Sequence, residues 1–130
     1  MIVVDASALL EVLLNRRAAA PIAERLLAPG ETLHAPHLLD VEVAQVLRRY
    51  AASGELDGAR GARALEVMAE FALTRYPHQP LMPRIWALRH NITAYDAAYI
   101  ALAEALAIPL VTRDAALAAT RGHRATVELV

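Results

Sequence analysis

Short β-branched runs and longer stretches of helical spacing follow one another along this chain. Ile2-Val3-Val4 predicts a strand buried on both faces, and it runs straight into Asp5. Leu9, Leu10, Leu13 and Leu14 then recur at helical spacing. A second short helix is expected over Ile22 to Leu27, stopped by Pro29-Gly30, and Thr32 to Ala35 reads as the second strand. Pro36 marks the turn into a helix that places Leu39, Val43, Val46, Leu47 and Tyr50 on one face and ends near Ser53-Gly54. Asp57 is a natural N-cap for a further helix, whose inward face is expected to be Leu65, Met68, Ala69 and Ala72. Thr74 to Pro77 reads as a short strand and Leu81 to Leu88 as a helix. Tyr95 to Leu106 is strongly helical, Pro109 to Thr112 is a strand, a short helix follows Asp114, and Thr126 to Leu129 is the last strand.

Strands separated by helices imply parallel pairing through crossovers. The expected fold is therefore α/β: three layers, α/β/α, around a mainly parallel central sheet. With 130 residues, 57% of them hydrophobic, and neither repeat nor linker, residues 1–130 read as a single domain with a core of its own. The longest apolar stretch, Ala94 to Val111, is interrupted by Asp96 and Glu104 and contains Pro109, so no membrane span is expected. Met1-Ile2-Val3-Val4 lacks the basic start of a signal peptide, and a cytoplasmic location is the expectation.

Two absences narrow the chemistry. There is no cysteine, which excludes disulfides, thiol nucleophiles and cysteine–zinc sites. There is no lysine either, since all 13 basic residues are arginine, which removes Walker-A loops and Schiff-base chemistry. Serine occurs only at Ser7 and Ser53, leaving little scope for a serine triad. The net charge of −1 argues against a general cationic coat but allows a local patch.

In open α/β sheets, sites form beyond the carboxyl ends of the strands. The first strand ends in Asp5-Ala6-Ser7 and the strand near residue 110 in Thr112-Arg113-Asp114. Each exit carries oxygen side chains at i and i+2, which an extended backbone turns to the same side. Two more acids, Glu42 and Asp96, are expected in the first turns of helices. All four have a capping or helix-dipole reading as well. Asp5 is the hardest to reduce to that role, because it follows an apolar strand where an unpaired carboxylate is costly. Asp96 shares a face with Ile100 and Ala103, and Glu42 flanks the stripe of Leu39 and Val46. Four converging carboxylates need a counter-charge, which must be arginine or a bound cation; oxygen ligands without cysteine favour magnesium or manganese.

Val3-Val4-Asp5-Ala6-Ser7-Ala8-Leu9, the Pro36 to Glu42 segment, Thr93-Ala94-Tyr95-Asp96-Ala97-Ala98-Tyr99 and Leu110-Val111-Thr112-Arg113-Asp114 together resemble the PIN-domain ribonucleases, and within them the VapC-like toxins of toxin–antitoxin pairs. The resemblance spans essentially the whole chain. It implies metal-dependent hydrolysis of RNA phosphodiester bonds with Mg2+ or Mn2+ and no covalent intermediate. The family's acidic site falls on Asp5, Glu42, Asp96 and Asp114, with Asp5 and Asp96 as first choice for direct metal ligands and Ser7 and Thr112 as auxiliary hydroxyls. It also implies an antitoxin that covers the site, and a homodimer. Asp40 reads as a surface or cap residue.

Arg16, Arg17, Arg48, Arg49, Arg113, Arg121 and Arg124 are available to phosphates or simply to water. The five histidines show no metal spacing. Tyr95 and Tyr99 occupy core positions in the helical pattern rather than base-stacking ones, and the leucine-rich first helices serve either the core or a protein partner. Phospho-accepting receiver domains and haloacid-dehalogenase-like phosphatases share the architecture, but both use a lysine that this chain lacks. An RNA-processing PIN nuclease, or a PIN-fold protein that only binds RNA or protein, remains as the alternative.

Overall fold

A computed structural model describes all of residues 1–130. Its centre is a five-stranded, all-parallel sheet of β1 (Ile2–Val4), β2 (Leu33–Pro36), β3 (Leu73–Tyr76), β4 (Leu110–Thr112) and β5 (Val127–Leu129), in the order β3-β2-β1-β4-β5. Every residue of β1, β2 and β4 is buried, as the unbroken apolar run of β1 requires, while edge strands β3 and β5 are only partly covered. Seven α-helices surround the sheet: α1 (Ala6–Leu13), α2 (Ala19–Leu26), α3 (Leu38–Ser53), α4 (Gly58–Glu70), α5 (Met82–Ala87, after a 3₁₀ turn at Gln79–Leu81), α6 (Ala94–Leu106) and α7 (Ala115–Ala119). The layers are α/β/α. Helices α1 to α4 pack among themselves, with α1 on β4 and α3 on β2, while α6, backed by α5, lies along β1, β2 and β4.

Helix α6 is the central packing element. Its residues Ala97 to Ala103 are all buried, so the helix is apolar nearly all round and is held close to the sheet. Burying each of its larger side chains, such as Ile100 and Leu102, is worth roughly 1.5–3 kcal/mol. The core forms one contiguous cluster around these residues and β1. No helix is long and apolar enough to cross a membrane.

The strand order decides where a site can lie. The chain steps outward from β1 to β2 and β3, then returns to the other side of β1 for β4 and β5. The direction of winding therefore reverses between β1 and β4, which opens a crevice at their carboxyl ends. Register brings Val4 beside Val111, and the Asp5 N–H donates to the Val111 carbonyl at 3.2 Å. Asp5 and Thr112 thus leave the sheet side by side.

Element boundaries lie close to the expected ones, with three differences. Pro36 closes β2 instead of opening α3, which starts at Leu38. The helix expected over Leu81 to Leu88 is present as α5, with an additional 3₁₀ turn leading into it at Gln79–Leu81. The buried face of α4 is Gly61, Ala64 and Met68, whereas Leu65 is 41% exposed and Ala69 and Ala72 face solvent. The buried stripe is thus the one that carries the small residues Gly61 and Ala64, with Gly61 beside the Leu56 side chain.

Candidate active site

Asp5 is 6% exposed and directs both carboxylate oxygens at donors. Oδ1 accepts from the Ser7 hydroxyl at 2.7 Å and the Ala8 N–H at 3.0 Å, and Oδ2 accepts from the Thr112 hydroxyl at 2.6 Å. The Ala8 bond is an N-cap, so Asp5 both starts α1 and sits at the crevice. Ser7 is helical rather than extended and reaches Asp5 across the first turn of α1, not through the alternation of a strand. Each hydroxyl also accepts from the β4 exit: Ser7 Oγ from the Arg113 N–H and Thr112 Oγ1 from the Asp114 N–H, both at 2.9 Å. The two strand ends are stitched together through Asp5. Burial pushes its carboxyl above the ordinary range; the bonds from Thr112, Ser7 and Ala8 pull it partly back, and Asp114 nearby adds to the rise.

Glu42 lies in the second turn of α3, the first-turn acid being Asp40. Its Oε2 accepts a 2.5 Å bond from the hydroxyl of Tyr99, a side chain only 2% exposed. Desolvation raises the Glu42 carboxyl, the Tyr99 bond opposes this, and the charges of Asp5 and Asp96 reinforce the rise. The same neighbourhood drives the Tyr99 hydroxyl far above its usual range, so it stays a donor. Asp96 occupies the first turn of α6, where its N–H donates to the N-cap Thr93 Oγ1 at 3.2 Å. Burial, then the charge of Asp114, raises the Asp96 carboxyl. Asp114 caps α7, its Oδ1 accepting from Ala116 and Leu117 N–H groups at 2.8 and 3.1 Å.

All four acids line one cleft of about 640 Å³, together with Ser7, Arg16, Arg49, Tyr50, Tyr95, Tyr99 and Arg113. Arginines neutralise Glu31, Asp40, Glu66, Glu104 and Glu128 elsewhere, and Arg113 lies 3.9 Å from Glu11, but none pairs with Asp5, Glu42, Asp96 or Asp114. No arginine therefore supplies the cluster's counter-charge, which leaves its carboxylates open to a cation. As the side chains stand, no three acids or histidines surround a single point. The donor set suits a hard ion held by one or two carboxylates and otherwise by water, the habit of Mg2+. Asp5 keeps one of its lone pairs free for such an ion, three of roughly four acceptor positions being occupied.

Asp40 makes a two-bond pair with Arg75, at 2.7 and 2.8 Å, and does not line the cleft. None of the five histidines lines it; His34 is buried between Thr32 and Tyr76. Tyr99 is in the core, but Tyr95 is not: at 64% exposure it stands at the cleft, in the first turn of α6, ahead of the buried run Ala97 to Ala103. The bond from Tyr99 to Glu42 escaped sequence reasoning, since it joins α6 to α3 and no local spacing reports it.

Similarity to known proteins follows the same lines. The PIN domain family matches residues 2–122. Ribonuclease VapC9 of Mycobacterium tuberculosis is 48% identical over 130 residues, covering 100% of this chain and 98% of that protein. The crystal structure of PAE2754 from Pyrobaculum aerophilum superposes with a TM-score of 0.70 at 26% identity, over 97% of this chain and 81% of that one. A chain of a toxin–antitoxin complex from Klebsiella pneumoniae gives 0.69 at 20% identity, over 92% and 91%, a likeness of fold.

Proposed function

The chain belongs to the PIN-domain family, and from that premise we propose that it is a divalent-metal-dependent endoribonuclease, the toxin of a toxin–antitoxin pair, with Asp5, Glu42, Asp96 and Asp114 as its acidic site. The ribonuclease activity named for a relative that matches the whole chain supports the reaction class. The observation that carries the site assignment is the cluster of four carboxylates, none neutralised by arginine, in the crevice where the strand order reverses. The single core supports reading residues 1–130 as one catalytic domain.

A divalent cation, Mg2+ or Mn2+, bound there supplies an activated water and counter-charge for the scissile phosphate. Asp5 and Asp96 would hold it, and Glu42 and Asp114 would complete the set directly or through water. Ser7 and Thr112 fix the Asp5 carboxylate, which cannot rotate without breaking bonds on both oxygens. Glu42, with its raised proton affinity, is placed to accept the proton of the attacking water. The new P–O bond forms as the bond to the leaving sugar oxygen breaks. No side chain serves as nucleophile: Ser7 donates to Asp5 and accepts from Arg113, so its hydroxyl is committed.

An antitoxin is the expected protein partner, and the resemblance adds a homodimer, which sedimentation decides. A nuclease acting on cellular RNA works in the cytoplasm. Induced expression should arrest growth, and co-expression of a cognate antitoxin should relieve it. Harmless expression of an enzyme that cleaves RNA would instead favour RNA processing.

A further inference from the structure

The acids occupy one part of the cleft, and a different chemistry occupies another. Arg16 follows α1 through a tight helix end: Asn15 adopts a left-handed φ of +46°, its N–H donates to the Val12 carbonyl at 3.1 Å, and the Arg16 N–H donates to the Glu11 carbonyl at 3.0 Å. This pair of bonds sets the backbone of Arg16. Its guanidinium then lies over the Tyr50 ring, 4.5 Å from the centroid, and donates to the Tyr50 hydroxyl at 3.2 Å. Arg16 is exposed, makes no other side-chain hydrogen bond and has no carboxylate partner. It is a cation held in place with most of its five N–H groups unused. Arg49, on the turn of α3 next to Tyr50, lines the same cleft without an ion pair, and Arg113 has only the distant Glu11.

We propose that Arg16, ordered on Tyr50, is a phosphate-binding subsite that holds an RNA strand beside the acidic centre. The proposal rests on the nuclease reading for its location, since a strand with one phosphate at the acids must lay its neighbouring phosphates along the cleft. A guanidinium already capped and stacked loses little freedom on binding, and its fork of donors matches a phosphate edge. The same cleft thus presents acids without cations and a cation without an anion. A phosphodiester strand complements both.

The test measures RNA binding apart from cleavage. A labelled single-stranded RNA of mixed sequence is titrated by fluorescence anisotropy against Asp96→Asn protein, at several salt concentrations, with and without Arg16→Ala or Arg16→Lys. Arg16→Ala should weaken binding about fivefold to tenfold and lower the slope of log K against log salt by about one. Arg16→Lys should keep the slope and recover part of the affinity, which a mere folding defect would not do. Unchanged affinity and slope for Arg16→Ala overturn the subsite. So does a result in which Arg16→Ala spares RNA but releases a small protein partner, since the surface then serves protein. Cleavage by the parent protein combined with Arg16-indifferent binding removes the subsite and leaves the nuclease. Arg16-dependent binding by a protein that never cleaves removes the nuclease reading and leaves the subsite.

Discussion

Replacing Thr112 by valine keeps the shape of a fully buried side chain while deleting its hydroxyl. Three contacts disappear: the 2.6 Å donation to Asp5 Oδ2, the 2.9 Å acceptance from the Asp114 N–H, and a weaker 3.3 Å contact with the Ser7 hydroxyl. A bond to a charged group is worth about 1.5–3 kcal/mol and the partly accessible N–H about 0.5 kcal/mol. The added methyl returns about 0.8 kcal/mol of apolar burial. Thr112→Val should therefore cost about 1.2–2.7 kcal/mol in urea unfolding at neutral pH. The sign with pH follows from linkage: the Thr112 bond lowers the proton affinity of folded Asp5, so its contribution is present while Asp5 is ionised and is lost as pH falls through the folded pKa. The cost must therefore shrink in acid. Thr112→Ser restores the hydroxyl and should lie within about 1 kcal/mol of the parent. A valine variant within about 0.5 kcal/mol of the parent at neutral pH, or a cost independent of pH, refutes the role given to this bond.

Tyr99→Phe removes the donor to Glu42 while keeping the buried ring; Mn2+ affinity or kcat/KM should fall about tenfold to a hundredfold, and a variant equal to the parent in both contradicts the assignment. In EDTA, Asp96→Asn should melt higher than the parent at neutral pH. Folded Asp96 has a raised pKa, so its ionised form destabilises the fold above the unfolded pKa, and the gain should fade as pH falls and the carboxyl protonates. A neutral-pH melting temperature below the parent's would reverse that sign. Asp40→Asn breaks a half-exposed pair with Arg75 outside the cleft, so unfolding should change by less than about 1 kcal/mol and cleavage by less than about twofold.

How far the site was legible in the sequence depends on how local each cause is. Asp5 and Asp114 follow strands, and the rule for open α/β sheets points to them directly. The capping readings hold as well: Asp5 and Asp114 both cap helices, so the same carboxylates that start α1 and α7 also line the cleft. Asp96 was placed by its face on α6. Tyr95 follows the same periodicity yet stands exposed at the cleft, since periodicity reports a face and not how far along the helix that face is covered. In α4 the hydrophobic pattern locates Met68 but also points to Leu65, whereas the helix buries the smaller Gly61 and Ala64, which hydrophobicity alone does not single out. Arg16 could be named among several arginines but not singled out, since its position depends on a helix end meeting Tyr50 from another helix.

The central claim is that the unpaired acids in the crevice hold a cation for RNA cleavage, and a metal titration of cleavage tests it most directly. Parent protein and folded Asp96→Asn protein are stripped with EDTA and assayed on RNA as Mn2+ or Mg2+ is returned. The account predicts no cleavage by the stripped parent, recovery as the cation is added, and no recovery by Asp96→Asn at any cation concentration. Full cleavage in EDTA, or undiminished cleavage by folded Asp96→Asn, would contradict it.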